Sequence, residues 1–399
     1  GDWSSDVCSS DLGVFAGYID DLNWAATFDK MVEVIKFVLE RGPSYGYKLN
    51  MKKSVYLMAP TTTKLSAHEI KRKIQILNEL GIPTQNIKVH PDCQLDVSIA
   101  LADERRAEWG IKILGAYVGS DEYVVNALRC KMVSIRELTQ IMLHYPNAQA
   151  RCYLHRFCYN AKVNYWMRAQ FPKHVALFVE DFKEQQQKLI ASYHGIHDDK
   201  EFNCDRRRFD DLYQRVALPI EKGGMALNNV VFVSLTAFAC SIAASMKELA
   251  KVFPDWIKIG SDGKLANIVC HKSPDVTDQI VDFAHEYRLI APQGPFKEGD
   301  DLLAVMKSIE AIDARRGATT VQGVLYSYLI EEEANRLSET VKRKANESRD
   351  HTSYSKVKWR NWFSLMNSDS GAWLTAGLSP KLFVMSNDEF ISEIGRAHV

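Results

Sequence analysis

Helical periodicity dominates the chain from about Tyr123 onward, and it limits the possible folds more than any other feature. Apolar residues recur there at intervals of three and four, as on one face of an α-helix. The segments lie near 123 to 143, 147 to 169 and 173 to 195, with further patterns over 302 to 309 and 321 to 344. We therefore expect most of the chain to form packed helices.

The first 120 residues carry a mixed pattern instead. Two β-rich runs, 13 to 18 and 22 to 26, lie on either side of Asp20 and Asp21, which predicts a hairpin with an acidic tip. Thr27 then begins an amphipathic helix that stops at Gly42. A strand over 49 to 58, a helix over 66 to 80 and a strand over 111 to 118 complete the pattern. The expected fold class is α+β, with the sheet covered on one face.

Composition excludes several classes of protein. The 399 residues hold 50 basic and 50 acidic side chains, as in an ordinary globular chain. The eight Cys form no CxxC pair, which argues against a zinc ribbon or a redox motif and favours a reducing compartment. The uncharged run 230 to 246 is shorter than the roughly 20 residues of a membrane span, so we expect a buried helix. Without a signal-peptide pattern, the expected location is intracellular, in the nucleus or cytoplasm, and not secreted.

The two ends of the chain share an unexpected relationship. Residues 6 to 12 and 393 to 399 can be encoded by reverse-complementary DNA strings, so one oligonucleotide read on opposite strands accounts for both. That oligonucleotide resembles a sequencing-library adapter. Residues 1 to 12 and 393 to 399 are therefore expected to be artefacts, and the biological sequence to run from about 13 to 392.

The Tyr18-Ile19-Asp20-Asp21 tetrapeptide (YIDD) is the most informative motif. Adjacent carboxylates at a hairpin tip repel each other, and a divalent cation such as Mg²⁺ relieves that repulsion. In two-metal phosphoryl transfer, one ion activates the attacking hydroxyl and both stabilise the in-line transition state. A solvated Asp-Asp turn remains the simpler alternative for these residues alone. A metal-dependent phosphohydrolase is another, although it does not account for the motifs that follow.

Those later motifs resemble a reverse transcriptase, an RNA-directed DNA polymerase, in their order along the chain. YIDD is followed by a helix, by GYKLNMKKS (46 to 54) and by ILGAYVGS (113 to 120). The stretches LPIEKGGMALNN (218 to 229) and SGAWLTAGLSP (370 to 380) are similar to the thumb and post-thumb regions of non-LTR retrotransposon polymerases. The resemblance implies a partial palm over 13 to 120, a helical thumb over 121 to 200 and a helical extension over 201 to 392.

The same resemblance assigns roles to individual residues. Asp20 is expected to bind Mg²⁺, with Asp21 as an accessory catalytic carboxylate, and Tyr18 to lie near the primer terminus. Lys53 is expected to stabilise the leaving pyrophosphate, unless it is only a surface lysine. Leu114 and Gly115 are expected to position the primer, unless they are plain strand and turn residues.

One requirement of that family is not met by the sequence. A further Asp on a neighbouring strand and the nucleotide-binding fingers should precede the YIDD hairpin, and neither is found, because Asp6 and Asp11 lie in the suspected adapter segment. Two Mg²⁺ ions, an RNA template, a DNA primer and deoxynucleoside triphosphates would serve the intact parent enzyme, with no role for a membrane. The chain as given is expected to be inactive. An inert nucleic-acid-binding remnant of a retroelement is the alternative.

A basic segment follows the mixed region. Between 125 and 174 there are eight Lys or Arg residues and a single acid, Glu137. Such a cationic helical face is expected to contact the phosphates of an RNA–DNA hybrid, against the alternative of a solvated face. Four interleaved aromatic residues, Tyr153, Tyr159, Tyr165 and Trp166, are expected to be mostly core. The proposed primer and template contacts are Arg129, Lys131, Arg136, Arg151, Arg156, Lys162 and Arg168, with Lys173 completing the basic segment.

Overall fold

The computed structural model describes residues 9–10, 13–18, 21–60, 64–94, 99–193, 206–252, 254, 257–268, 274–313 and 320–347. These residues are mainly helical, with several small sheets, which confirms the general α+β class. They form two compact units, one within 1–127 and 246–259 and the other within 128–245 and 260–399.

The elements are named in chain order. The strands are β1 (Ser9–Ser10), β2 (Gly13–Tyr18), β3 (Asp21–Ala25), β4 (Tyr56–Met58), β5 (Ile87–Val89), β6 (Gly110–Ile113), β7 (Ala116–Gly119), β8 (Ile257–Ile259) and β9 (Leu265–Ile268). The helices are α1 (Phe28–Arg41), α2 (Ala67–Glu79), α3 (Ile99–Glu108), α4 (Asp121–Leu143), α5 (Ala148–Leu154), α6 (Ala161–Ala169), α7 (Pro172–Tyr193), α8 (Arg206–Ala217), α9 (Val230–Val252), α10 (Pro274–Ile290), α11 (Leu302–Asp313) and α12 (Val321–Glu347).

The predicted hairpin is present in the first unit. Strands β2 and β3 pair antiparallel, and β1 adds to the outer edge of β2. Helix α1 follows, with Met31 and Ile35 buried, and its stop at Gly42 agrees with the prediction. Trp24 of β3 packs against the core that these two side chains form with Leu77 of α2. The hairpin is therefore fixed to the helical layer through β3.

Helix α2 has the strongest local start signal in the chain. Ser66 accepts a hydrogen bond from the Glu69 amide, and the Glu69 carboxylate accepts one from the Ser66 amide, which makes a complete capping box. The helix ends before Gly81, whose φ of 95° suits a residue without a side chain. The predicted helix over 66 to 80 is confirmed.

Two strand predictions in this unit were wrong in extent. Only 56 to 58 of the predicted strand over 49 to 58 is extended, because Lys53 and Ser54 donate backbone hydrogen bonds to the Asn50 carbonyl and close a turn. The segment over 111 to 118 is a hairpin and not one strand, since β6 and β7 pair across Leu114 and Gly115.

The second unit contains the helices expected from the periodicity. The region predicted as one helix over 147 to 169 is divided: α5 runs into a π-helical turn, His155–Tyr159, before α6 begins. The core of the second unit is partly aromatic: Tyr159 stacks on Phe182 of α7, with 4.9 Å between the ring centres. The expected helices over 302 to 309 and 321 to 344 are present as α11 and α12.

The glycine pair in the 218 to 229 stretch has a structural explanation. Gly223 has a φ of 78°, and after this turn the Met225 amide returns to the Val216 carbonyl at 3.0 Å. Gly224 lies so close to the backbone of Leu218 that a Cβ atom there would overlap it. The loop therefore folds back on the end of α8 only with glycine at 224.

The apolar run over 230 to 246 lies in α9. By length and composition, α9 is the one helix in the described part of the chain that could cross a membrane. In its apolar stretch, 44% of the residues are buried in the protein. Residues 236 to 240 are all buried, and five consecutive residues cover the whole circumference of a helix, as expected for a helix surrounded by protein neighbours.

Candidate nucleic-acid interface

The first and last residues of the YIDD motif belong to the β2–β3 hairpin. Tyr18 is the last residue of β2 and pairs with Asp21, the first residue of β3. Asp20 lies outside the described residues. Where the chain is described, no group of three or more His, Cys, Asp or Glu residues is arranged to hold a metal ion.

Lys53 lies in the turn between α1 and β4, and its side chain is exposed. The turn is held by Asn86, whose side-chain amide donates to the carbonyls of Lys52 and Ser54 at 2.9 and 3.1 Å. This tether keeps the Lys53 backbone in a defined place while its ammonium group stays in solvent.

Leu114 and Gly115 form the two-residue turn of the β6–β7 hairpin. Their φ angles are 48° and 91°, the positive pair typical of a type I′ turn. Leucine is rarely found at φ > 0 because its Cβ crowds the backbone, and here the side chain is also 53% exposed. An exposed apolar side chain in a strained turn is a pattern more typical of functional sites than of turns chosen for stability.

Two hydrogen bonds join the base of this hairpin to strands β4 and β5. The Trp109 indole donates to the Met58 carbonyl at 3.1 Å, and the Lys88 ammonium donates to the Gly110 carbonyl at 2.6 Å. Burial lowers the pKa of Lys88, whose ammonium also lies 5.2 Å from the Tyr123 ring centre. Sequence reasoning singled out neither Trp109 nor Lys88, because each looks like an isolated residue in a polar stretch.

Most of the predicted phosphate contacts lie at least partly in solvent. Arg129, Arg136, Lys162 and Arg168 are exposed, and Lys131 and Arg156 are intermediate. Some of them also contact other side chains of the protein. Arg136 on α4 forms an ion pair with Asp181 on α7, and the Arg168 guanidinium donates to the Gln322 side-chain oxygen at 2.7 and 3.1 Å.

Arg151 does not share that placement. It is 5% exposed, donates to the Leu143 carbonyl at 2.8 Å, and its guanidinium lies 6.0 Å from the Tyr193 ring centre. Burial lowers the pKa of Arg151. The expected phosphate contact does not fit this position, because the side chain is directed to interior partners and not to the surface.

The aromatic residues of the basic segment divide between core and surface. Tyr159 is buried and bonded to Thr139, whereas Tyr165 is exposed. Phe157, which the sequence did not single out, is 59% exposed between two buried neighbours, His155 and Tyr159. The exposed aromatic residues of this segment therefore include one, Phe157, that helical spacing did not indicate.

Several further sequence features lie outside the described residues. They are the 370 to 380 stretch and a group of metal-ligand residue types whose spacing is poor for a closed site and favours a polar loop, namely His194, His197, Asp198, Asp199 and Cys204. Arg206, Arg207 and Arg208 begin α8, where the backbone alone is described.

No protein-family model, no curated protein and no solved structure matches the chain.

Proposed function

We propose that the chain is part of an RNA-directed DNA polymerase of a non-LTR-type retrotransposon. The observation that supports this most is the pairing of Tyr18 with Asp21, the first and last residues of YIDD, at the end of an antiparallel hairpin. A helix with a buried face follows at 28 to 41, and a second hairpin with a strained apolar tip follows at 110 to 119. The order of these parts agrees with the order of the motifs.

In the parent enzyme, the YIDD hairpin would present the primer end to the incoming nucleotide. Asp20 and Asp21 would hold Mg²⁺, which supplies Lewis-acid activation of the primer hydroxyl and neutralises phosphate charge. Lys53 would contribute positive charge beside the departing pyrophosphate, and its exposed ammonium leaves it accessible for that role. Leu114, at the exposed tip of its hairpin, would contact the primer strand.

The basic helices would hold the RNA–DNA hybrid. Exposed Arg129 and Lys162 belong to a segment with a large local excess of positive charge, which favours a polyanion. Phosphate contacts of this kind give affinity without sequence preference. The chain as given would bind a hybrid but not extend its primer. A catalytically inert remnant that only binds nucleic acid remains the second candidate, because the same helices support it.

The test is the affinity of the full chain for a fluorescent RNA–DNA hybrid, measured by anisotropy at several salt concentrations. We expect the dissociation constant to rise steeply with salt, and Lys162→Ala to lower the slope of the log–log plot by about 1. Lys307→Ala, at an exposed lysine of α11 outside the basic segment, is the matched control and should leave the slope unchanged. An affinity that does not depend on salt, or equal slopes for the two variants, would contradict the proposal.

A further inference from the structure

The π-helical turn between α5 and α6 places an aromatic ring on the surface of the second unit. The Asn160 amide donates to the His155 carbonyl at 3.2 Å, a bond that spans five residues instead of four. His155 and Tyr159 are buried by this turn, while Phe157 between them is 59% exposed. Turns of this type occur often at functional sites, and covering the exposed apolar surface of a phenyl ring with a partner is favourable.

Two neighbours hold the Phe157 ring in place. Tyr153, one turn earlier, stacks on it with 5.9 Å between ring centres and 26° between ring planes. The Arg156 guanidinium carbon lies 4.9 Å from the Phe157 ring centre. An aromatic ring that is already oriented by its neighbours loses little conformational entropy when a flat partner stacks on it.

The charges around Phe157 identify the chemistry of that partner. No acid occurs between Glu137 and Glu180, whereas this interval holds Arg156 and the exposed Lys162. Arg156 is in contact with the ring, so a partner that stacks there also meets a cation. A nucleotide satisfies both, because its base stacks on the ring and its phosphate meets the cations.

We infer that Phe157, supported by Tyr153 and Arg156, is a stacking platform for an unpaired base of single-stranded nucleic acid. This inference rests on the proposed function and deepens it. The hybrid contact needs only phosphates, whereas the platform requires a base that is not paired. The cationic helices thus bind single strands in a second way, in which the base itself contributes to affinity.

The experiment compares two strands of equal length and charge, a fluorescent oligothymidine and an abasic strand that has the same phosphates but no bases. For the unmodified chain, we expect the oligothymidine to bind about tenfold more tightly than the abasic strand. Phe157→Ala should abolish that difference, and Phe157→Tyr should preserve it. Leu177→Ala is the matched control, since Leu177 on α7 is also an exposed apolar residue, at 65%. Circular dichroism and thermal unfolding check that each variant is folded.

The outcomes separate this inference from the proposed function. If the chain binds the hybrid with a steep salt dependence, but Phe157→Ala weakens both strands equally or neither, the stacking platform is wrong and the proposed function stands. If the chain binds neither hybrid nor single strands at low salt, both fail. A Phe157→Ala variant that loses only the base-dependent part, with its salt slope unchanged, supports the platform.

Discussion

Arg136 of α4 and Asp181 of α7 form an ion pair within the second unit, and the Arg136 Nε atom lies 3.3 Å from the second carboxylate oxygen of Asp181. The arginine side chain is 54% exposed and the aspartate 23%. The positive charge that the sequence offers to a phosphate at this position is therefore already balanced by a protein carboxylate.

Asp181→Asn should release Arg136 for a phosphate. We expect the variant to bind the RNA–DNA hybrid several-fold more tightly at low salt and with a steeper salt dependence, because one more cation is available. The double variant Arg136→Ala, Asp181→Ala, which removes both charges of the pair together, should change the affinity little. Anisotropy titrations of both variants check this, and a weaker affinity for Asp181→Asn would contradict the assignment of this face.

Leu114→Asn should make the protein more stable but weaken its binding to the hybrid. Asparagine tolerates a positive φ better than leucine, so the free energy of unfolding should rise by about 1 kcal/mol. Hybrid affinity should fall, because the exposed apolar side chain that we assign to the primer is removed. Urea unfolding and anisotropy measure the two quantities. A gain in stability with unchanged affinity would leave Leu114 without the proposed contact.

His155 should make stability depend on pH. Burial lowers its pKa to about 3 from the ordinary 6.5, so the folded state stays unprotonated where the unfolded state binds a proton. Its stabilising effect is complete above about pH 6.5 and is lost as the pH falls toward 3, by at most about 1.4 kcal/mol per pH unit. His155→Phe should reduce the loss of stability between about pH 6.5 and 4.5.

The control for this prediction is His144→Phe, at an exposed histidine in the turn that follows α4. Urea unfolding at the two pH values gives the comparison. The prediction is wrong if the two variants lose the same stability as the unmodified chain on acidification.

Gly224→Ala should be far more destabilising than Gly223→Ala. A Cβ at 224 would overlap the Leu218 backbone and lie 2.7 Å from the Arg215 carbonyl oxygen, and backbone atoms cannot rotate away. The expected loss exceeds about 3 kcal/mol. Gly223→Ala should lower the free energy of unfolding by only about 1 kcal/mol, because alanine must adopt a positive φ there. Equal thermal shifts for the two variants would mean that the loop does not fold as described.

Sequence reasoning predicted elements whose signals are local. The helix over 66 to 80 was predictable because Ser66 and Glu69 cap it and Gly81 ends it. The β6–β7 hairpin was not, because its turn uses leucine where Asn or Gly is the usual signal. The turn at 50 to 54 was not predictable either, because the backbone hydrogen bonds that close it do not depend on the side chains.

The sequence predicted that a basic surface segment exists, but not which of its side chains are exposed. Counting charges found the basic segment but could not separate buried Arg151 from exposed Lys162, since the π-helical turn shifts the helical faces between them. The same turn explains why Phe157 was missed. Partners from distant segments, such as Asp181 for Arg136 and Gln322 for Arg168, depend on tertiary packing that spacing does not encode.

The central claim is that Asp20 and Asp21 hold a divalent ion at the end of a primer, and localised cleavage tests it most directly. Iron(II) added in place of Mg²⁺, with peroxide, generates hydroxyl radicals that cut nucleic acid beside the bound ion. With an end-labelled primer–template hybrid on the full chain, we predict cuts confined to the neighbourhood of the primer 3′ end, lost in the Asp20→Asn, Asp21→Asn double variant. Cuts spread evenly along the hybrid, or a pattern that the double variant leaves unchanged, would contradict the account.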